Sequence, residues 1–232
     1  MPRTNRGRAT RDRIVSCAAE LLVTEGVSAV TQDRIRQAAS VSGSQLAHYF
    51  ADKDALIRAV IARQTEVLLD FHRQAALNNL DTLEDFEKWA ELTLVLSRRR
   101  NRHPALPTYG MLAGQLCKQN EQTRELLADG YRQWIALLRR GLTRMKKSGL
   151  LIESADPAAL ANVLVTAHEG GGLMGGAYGK TWPDRDALNF AMSYLRQFAA
   201  RPHHRRAAMP GAVARTAGTS ARAGRPMKSR AS

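Results

Sequence analysis

The chain is poor in the residues that open several functional classes. It has two cysteines in 232 residues. Cys17 and Cys117 have no partner at metal-ligand or redox-motif spacing, which excludes a disulfide scaffold and suits a reducing compartment. No apolar run reaches the roughly 20 residues that a membrane-crossing helix needs, so no membrane partner is expected. The basic start MPRTNRGRATRDR is not followed by an apolar h-region. A signal peptide is therefore not read there, and a cytoplasmic location is expected. There is no nucleophile–base pair, no metal-ligand cluster and no glycine-rich loop after a strand, so catalysis, metal and cofactor are not expected. His168 beside Glu169 is no exception, because adjacent helical residues do not face one another.

Acids are also scarce: 21 Asp and Glu stand against 35 Lys and Arg, for a net charge of +14. Such a balance favours a polyanionic partner. The excess is uneven, since eight of the basic residues and none of the acids lie beyond residue 200, leaving +6 for the rest. That segment, 201–232, is Ala, Gly, Pro, Ser and Arg with little to bury, and is expected to be a disordered basic tail.

The most informative stretch is Thr31–Lys53, TQDRIRQAASVSGSQLAHYFADK. Thr31 is a good N-cap for a helix over Gln32–Ala39, with Ile35, Ala38 and Ala39 inward. Ser42 caps a second short helix, Gly43 to about Tyr49, anchored by Leu46 and Phe50 with Ser44, Gln45 and His48 free to point out. Asp52 caps the next helix, with Lys53 in its first turn. A short polar helix held by a helical partner has the shape that enters a DNA major groove.

With the preceding helix (DRIVSCAAELLVTEG), a Gly-containing turn and HYF-x-x-K-x-x-L leading into the fourth helix, the segment from roughly Thr10 to Ile61 resembles the DNA-binding domain of the TetR/AcrR family of bacterial repressors. The resemblance implies a double-stranded DNA operator, a homodimer and a small-molecule inducer. It implies DNA contacts at Gln32, Asp33, Gly43, Ser44, Gln45, Tyr49 and Lys53, and Ser42 and His48 complete the exposed polar set. Gln45 is either a phosphate contact or a bidentate partner of adenine. Lys53 at a helix N-terminus makes a phosphate seat. Arg3, Arg6 and Arg8 either follow the DNA or form a solvated arm. Four positions depart from the family pattern. Arg36 stands where a small Ala is usual, Ser40 where a turn Gly is usual, Gly43 at a reading position, and Ala47 where an aromatic often touches phosphate.

Everything after residue 81 also reads helical, and no strand alternation is present, so an all-α fold is expected. The expected divisions are a basic arm (1–9), a helix-turn-helix DNA-binding domain (10–61), a helical ligand-binding and dimerisation domain (62–200) and the tail (201–232). Helices are read at Leu83–Arg100, Tyr109–Lys118, Gln122–Lys147, after Asp156 and Pro157, and from an Asp184 cap to Ala200, with breaks at Pro104 and Pro107. The family's inducer pocket would draw on Trp89, Leu92, Leu96, Tyr109, Met111, Leu112, Gln115, Trp134, Leu138, His168 and Met174, each of which also reads as ordinary core. Gly171, Gly172, Gly175 and Gly176 either let a partner helix approach at a dimer interface or kink their own helix. The function expected is a repressor released from a palindromic operator by a small molecule. The alternative is a DNA binder without an inducer that uses its basic tail for nonspecific affinity, which a closed core in the ligand-free chain would favour.

Overall fold

A computed structural model describes residues 4–74, 77, 79–102 and 108–200, with backbone only for 100–102. The expected tail and the Pro104 and Pro107 breaks lie outside the described residues. The described helices are α1 (Asn5–Glu25), α2 (Gln32–Ala39), α3 (Gly43–Tyr49), α4 (Lys53–Arg73), α5 (Leu83–Arg102), α6 (Tyr109–Leu116), α7 (Glu121–Lys147), α8 (Pro157–Tyr178) and α9 (Trp182–Gln197), with a 3-10 turn at Val27–Ala29. There is no strand among the described residues; an isolated antiparallel bridge pairs Leu151 with Ala199. No helix among them is long and apolar enough to cross a membrane.

The helix starts follow from side chains that satisfy orphan N–H groups. Thr31 accepts from the Arg34 amide at 3.3 Å, Asp52 from that of Ala55 at 2.6 Å and Asp156 from that of Ala158 at 2.8 Å. Ser42 and Gln45 form a reciprocal capping box, at 3.1 and 2.9 Å;. Two expectations are corrected. Residues 5–9 of the expected arm are helix, because Thr4 accepts from the Gly7 amide at 3.1 Å and starts α1 at Asn5, while Arg3 lies outside the described residues. Arg6 and Arg8 therefore sit on a helix. Asp184 does not cap α9, which starts at Trp182 after Thr181; its carboxylate is buried and engaged elsewhere.

Two apolar clusters fill the body. The first gathers Ile14, Ala18 and Leu22 of α1, Ile35 and Ala39 of α2, Leu46, Phe50, and Leu56, Ile57, Val60 and Ile61 of α4. It also takes Tyr109, Leu112 and Leu116 of α6 and Leu127 of α7. The boundary expected at residue 61 thus falls inside α4, with a shared core on both sides. The second cluster is built around Trp89, Trp134, Leu138, Leu164 and Leu195. Ala38, expected inward, is exposed, since the inner stripe of the two-turn α2 is Ile35 and Ala39. Gly130 lets α6 lie close to α7, because a Cβ there would overlap the Tyr109 hydroxyl.

Candidate nucleic-acid interface and cavity

The α2–turn–α3 unit presents its polar side outward. Gln32, Asp33, Gly43, Ser44, Gln45 and His48 are exposed and Tyr49 is half-buried. Several of these groups are already engaged. The Gln45 amide oxygen holds the Ser42 N–H. The Ser42 and Ser44 hydroxyls lie 2.9 Å apart, and Asp33 pairs with Arg36 at 3.0 Å. The Gln45 amide nitrogen has no such tie, so the capping box turns a donor outward. The ring of His48 meets that of Tyr49 edge-on at 5.1 Å.

Arg36 is accommodated by running outward along α3. Its Cδ would lie 3.9 Å from a Cβ at Gly43, so the glycine is not forced by a clash. Ser40, at φ 51° and ψ 53°, is the one left-handed non-glycine residue among those described. Its amide nonetheless bonds back to α2, to Gln37 at 3.3 Å. Lys53 is more committed than a phosphate seat requires. Its Nζ donates to the Val27 carbonyl at 2.8 Å, tying α4 to the 3-10 turn. Two of its three N–H donors remain for a phosphate.

A mostly apolar cavity of about 200 Å³ lies among α4, α5, α6, α7 and α8. Its walls are Gln64, Val67, Leu68, Phe71 and His72 of α4, Thr93 and Leu96 of α5, Tyr109, Trp134, His168 and Glu169. Leu96, Tyr109, Trp134 and His168 were read from the sequence; the α4 stripe, Thr93 and Glu169 were not. Residues 64, 67, 68, 71 and 72 recur at i, i+3, i+4, i+7 and i+8, a helical face that could have been recognised. The other candidates lie elsewhere. Trp89, Leu112 and Leu138 are fully buried core, and Leu92 packs half-buried against the second cluster. Gln115 points to solvent on α6, and Met174 is 49% exposed on the outer side of α8. Met111 borders a smaller cleft with Glu169 and Leu173.

Three polar arrangements border the cavity. The Nε2 of His72 accepts the indole N–H of Trp89 and of Trp134, each at 3.0 Å. Its Nδ1 lies 2.8 Å from the Leu68 carbonyl. An imidazole nitrogen that accepts twice must be unprotonated, so Nδ1 carries the hydrogen. Burial holds this histidine's pKa down from 6.5 to about 4;. His168 Nδ1 meets the Asp184 carboxylate at 2.8 Å, with both side chains buried, and Ser97 donates to the other Asp184 oxygen at 2.6 Å. Tyr131 donates to Glu169 at 2.6 Å. Burial first, and the Glu169 charge second, push its phenol well above the ordinary range.

The four glycines singled out from the sequence on α8 divide into two kinds. A Cβ at Gly171 would lie 2.6 Å from Asp184 Cα, and one at Gly175 would lie 2.8 Å from the Lys180 carbonyl. Those two are taken up within the chain, where α8 meets α9 and its own C-terminal turn. Gly172 and Gly176 face open space. The helix runs without an unwound turn from Pro157 to Tyr178. Outside it, Leu173, Tyr178, Trp182 and Phe190 are exposed, Phe190 to 74%.

The head is a helix-turn-helix, and it stands on an all-α body with an internal cavity. Residues 14–60 match the sequence profile of bacterial regulatory proteins, tetR family. A TetR regulator from Chloroflexus aurantiacus superposes with a TM-score of 0.71 at 18% identity, covering 84% of this chain and 98% of that one. The regulatory protein TetR from Rhodobacter sphaeroides superposes at 0.69 with 20% identity, covering 79% and 97%. A TetR-family transcriptional regulator from Agrobacterium tumefaciens does so at 0.66 with 16% identity, covering 84% and 100%. No curated protein matches the sequence. Residues 14–60 are therefore a DNA-binding domain of the tetR type, and the described residues share the fold of these regulators.

Proposed function

We propose that the chain is a homodimeric, cytoplasmic repressor that leaves a pseudo-palindromic operator when a small molecule fills the cavity, and that it is a binding protein rather than an enzyme. The observation that carries this reading is the continuity of α4. Its first turn holds Lys53 in the head, and residues 64–72 of the same helix form one wall of the cavity. A ligand pressing on that wall moves the helix on which the head is mounted. A second link is α6, where Tyr109 lines the cavity and Leu112 and Leu116 are buried in the core of the head. The open cavity in the ligand-free chain supports an inducer over the reading without one.

On this reading Gln32, Asp33, Ser42, Gly43, Ser44, Gln45, His48, Tyr49 and Lys53 face the duplex, with Arg36 added to the set. Base edges are read from the start of α3, and phosphates are held by Lys53, Tyr49 and the amide of Gln45. The exposed apolar patch of α8 and α9, with Gly172 and Gly176, forms the two-fold contact. Footprinting the full chain on its own promoter tests the reading. Two equivalent half-sites about one helical turn apart are expected, and protection of a single asymmetric site defeats it.

A further inference from the structure

The cavity described above has a chemistry of its own, and the inference drawn from it rests on that cavity being the ligand site. Its wall is apolar apart from a few atoms. One is the Glu169 carboxylate, whose hydrogen-bond partner is the neutral Tyr131 phenol. Gly110 makes room for it, since a Cβ there would lie 2.6 Å from Glu169 Oε2. No Lys or Arg among the described residues pairs with Glu169. A half-buried carboxylate without a cation is incompletely compensated.

A second carboxylate, Asp184, lies behind His168 at 2.8 Å. The rings of Phe71, Tyr109 and Trp134 border the same space, and aromatic faces attract cations. Thr93, 4% exposed, lines the cavity, and its hydroxyl has no hydrogen-bond partner. A buried hydroxyl left open in this way calls for a polar atom of a ligand. At about 200 Å³ the space is smaller than the ~300–1,000 Å³ of drug-sized sites.

We propose that the cavity takes a small organic amine in its protonated form, with the ammonium group on Glu169 and the apolar body against the rings and Leu68. A carboxylate ligand of equal size would be set against Glu169 and Asp184 and is disfavoured.

Direct binding to the full chain, read by calorimetry without DNA, tests this with three probes of similar size: phenethylamine, 2-phenylethanol and 3-phenylpropanoate. Phenethylamine should bind about tenfold more tightly than the alcohol, in line with a partly desolvated cation site, and the carboxylate most weakly. Glu169→Gln should reduce that preference to less than about threefold, while Glu169→Asp, which keeps the charge, should retain most of it. Equal or tighter binding of the carboxylate, an unchanged preference in Glu169→Gln, or no binding by any probe overturns the proposal. Failure to release the operator when phenethylamine does bind would instead count against the inducer reading, leaving the ligand class standing.

Discussion

His72 and Trp134 lie 62 residues apart, yet the imidazole Nε2 accepts the indole N–H at 3.0 Å. The same nitrogen also takes the indole N–H of Trp89. A proton added to His72 would break both bonds at once, which, together with burial, keeps this histidine neutral.

Stability should therefore fall in mild acid. The unfolded chain binds a proton at His72 near pH 6.5, whereas the folded chain resists it down to about 4. The unfolded state thus gains between those values as pH drops, by up to about 3 kcal/mol once pH is below both. Urea midpoints at pH 7.5 and 5 measure the fall. His72→Gln should be less stable at pH 7.5 but show a shallower loss; an equally steep loss in that variant would mean other groups carry it.

Asp184→Ala should be among the most damaging single substitutions. It removes the partner of both Ser97 and His168 at a site that is 2% exposed. Breaking a buried pair from one side costs about 3–5 kcal/mol. Asp184→Asn keeps an acceptor and should cost less. Equal melting temperatures for wild type and the alanine variant would refute the role assigned to the pair.

Ser40→Gly should stabilise the chain. The left-handed backbone at φ 51° costs an L-residue roughly 1–2 kcal/mol that glycine does not incur. Part of the gain is returned as greater freedom of the unfolded chain. A net gain of about 0.5–1 kcal/mol by chemical denaturation is expected. A loss would mean that the serine side chain makes a contact worth more than the strain.

Gly171→Ala and Gly172→Ala should separate folding from assembly. The first places a methyl against the backbone of Asp184 and should lower the melting temperature of the chain; overpacking of this kind costs about 1–3 kcal/mol;. The second enters open space and should leave folding intact. If the outer face of α8 is the dimer contact, Gly172→Leu should dissociate the dimer in sedimentation, whereas Gly171→Ala should not do so before it unfolds.

What the sequence discloses is mostly local. Thr31, Ser42, Asp52 and Asp156 act within three residues of themselves, so their caps can be read from neighbours alone. The apolar periodicity of α1 and α7 is similarly self-contained. Asp184 defeats that kind of reading: it precedes an apolar helix as a cap would, but its partners are Ser97, 87 residues earlier, and His168 on α8. The cavity is harder still, since it is a space between five helices. The α4 stripe at residues 64–72 has helical spacing, but nothing within it shows that its partners come from α5 to α8. Gly171 and Gly172 are the same letter in succession, and only the helix packed beside them tells which one is needed for folding.

The burial of Tyr109, Leu112, Leu116 and Leu127 in the first core has a consequence during synthesis. When the ribosome has released the head through Ile61, that core still lacks the four residues that close it. It stays incomplete until Leu127 has emerged from the exit tunnel, more than half of the 232 residues into the chain. The helix-turn-helix therefore acquires its finished packing only after the α4, α5 and α6 parts of the cavity wall have been translated, while Trp134, His168 and Glu169 of that wall lie further along the chain;.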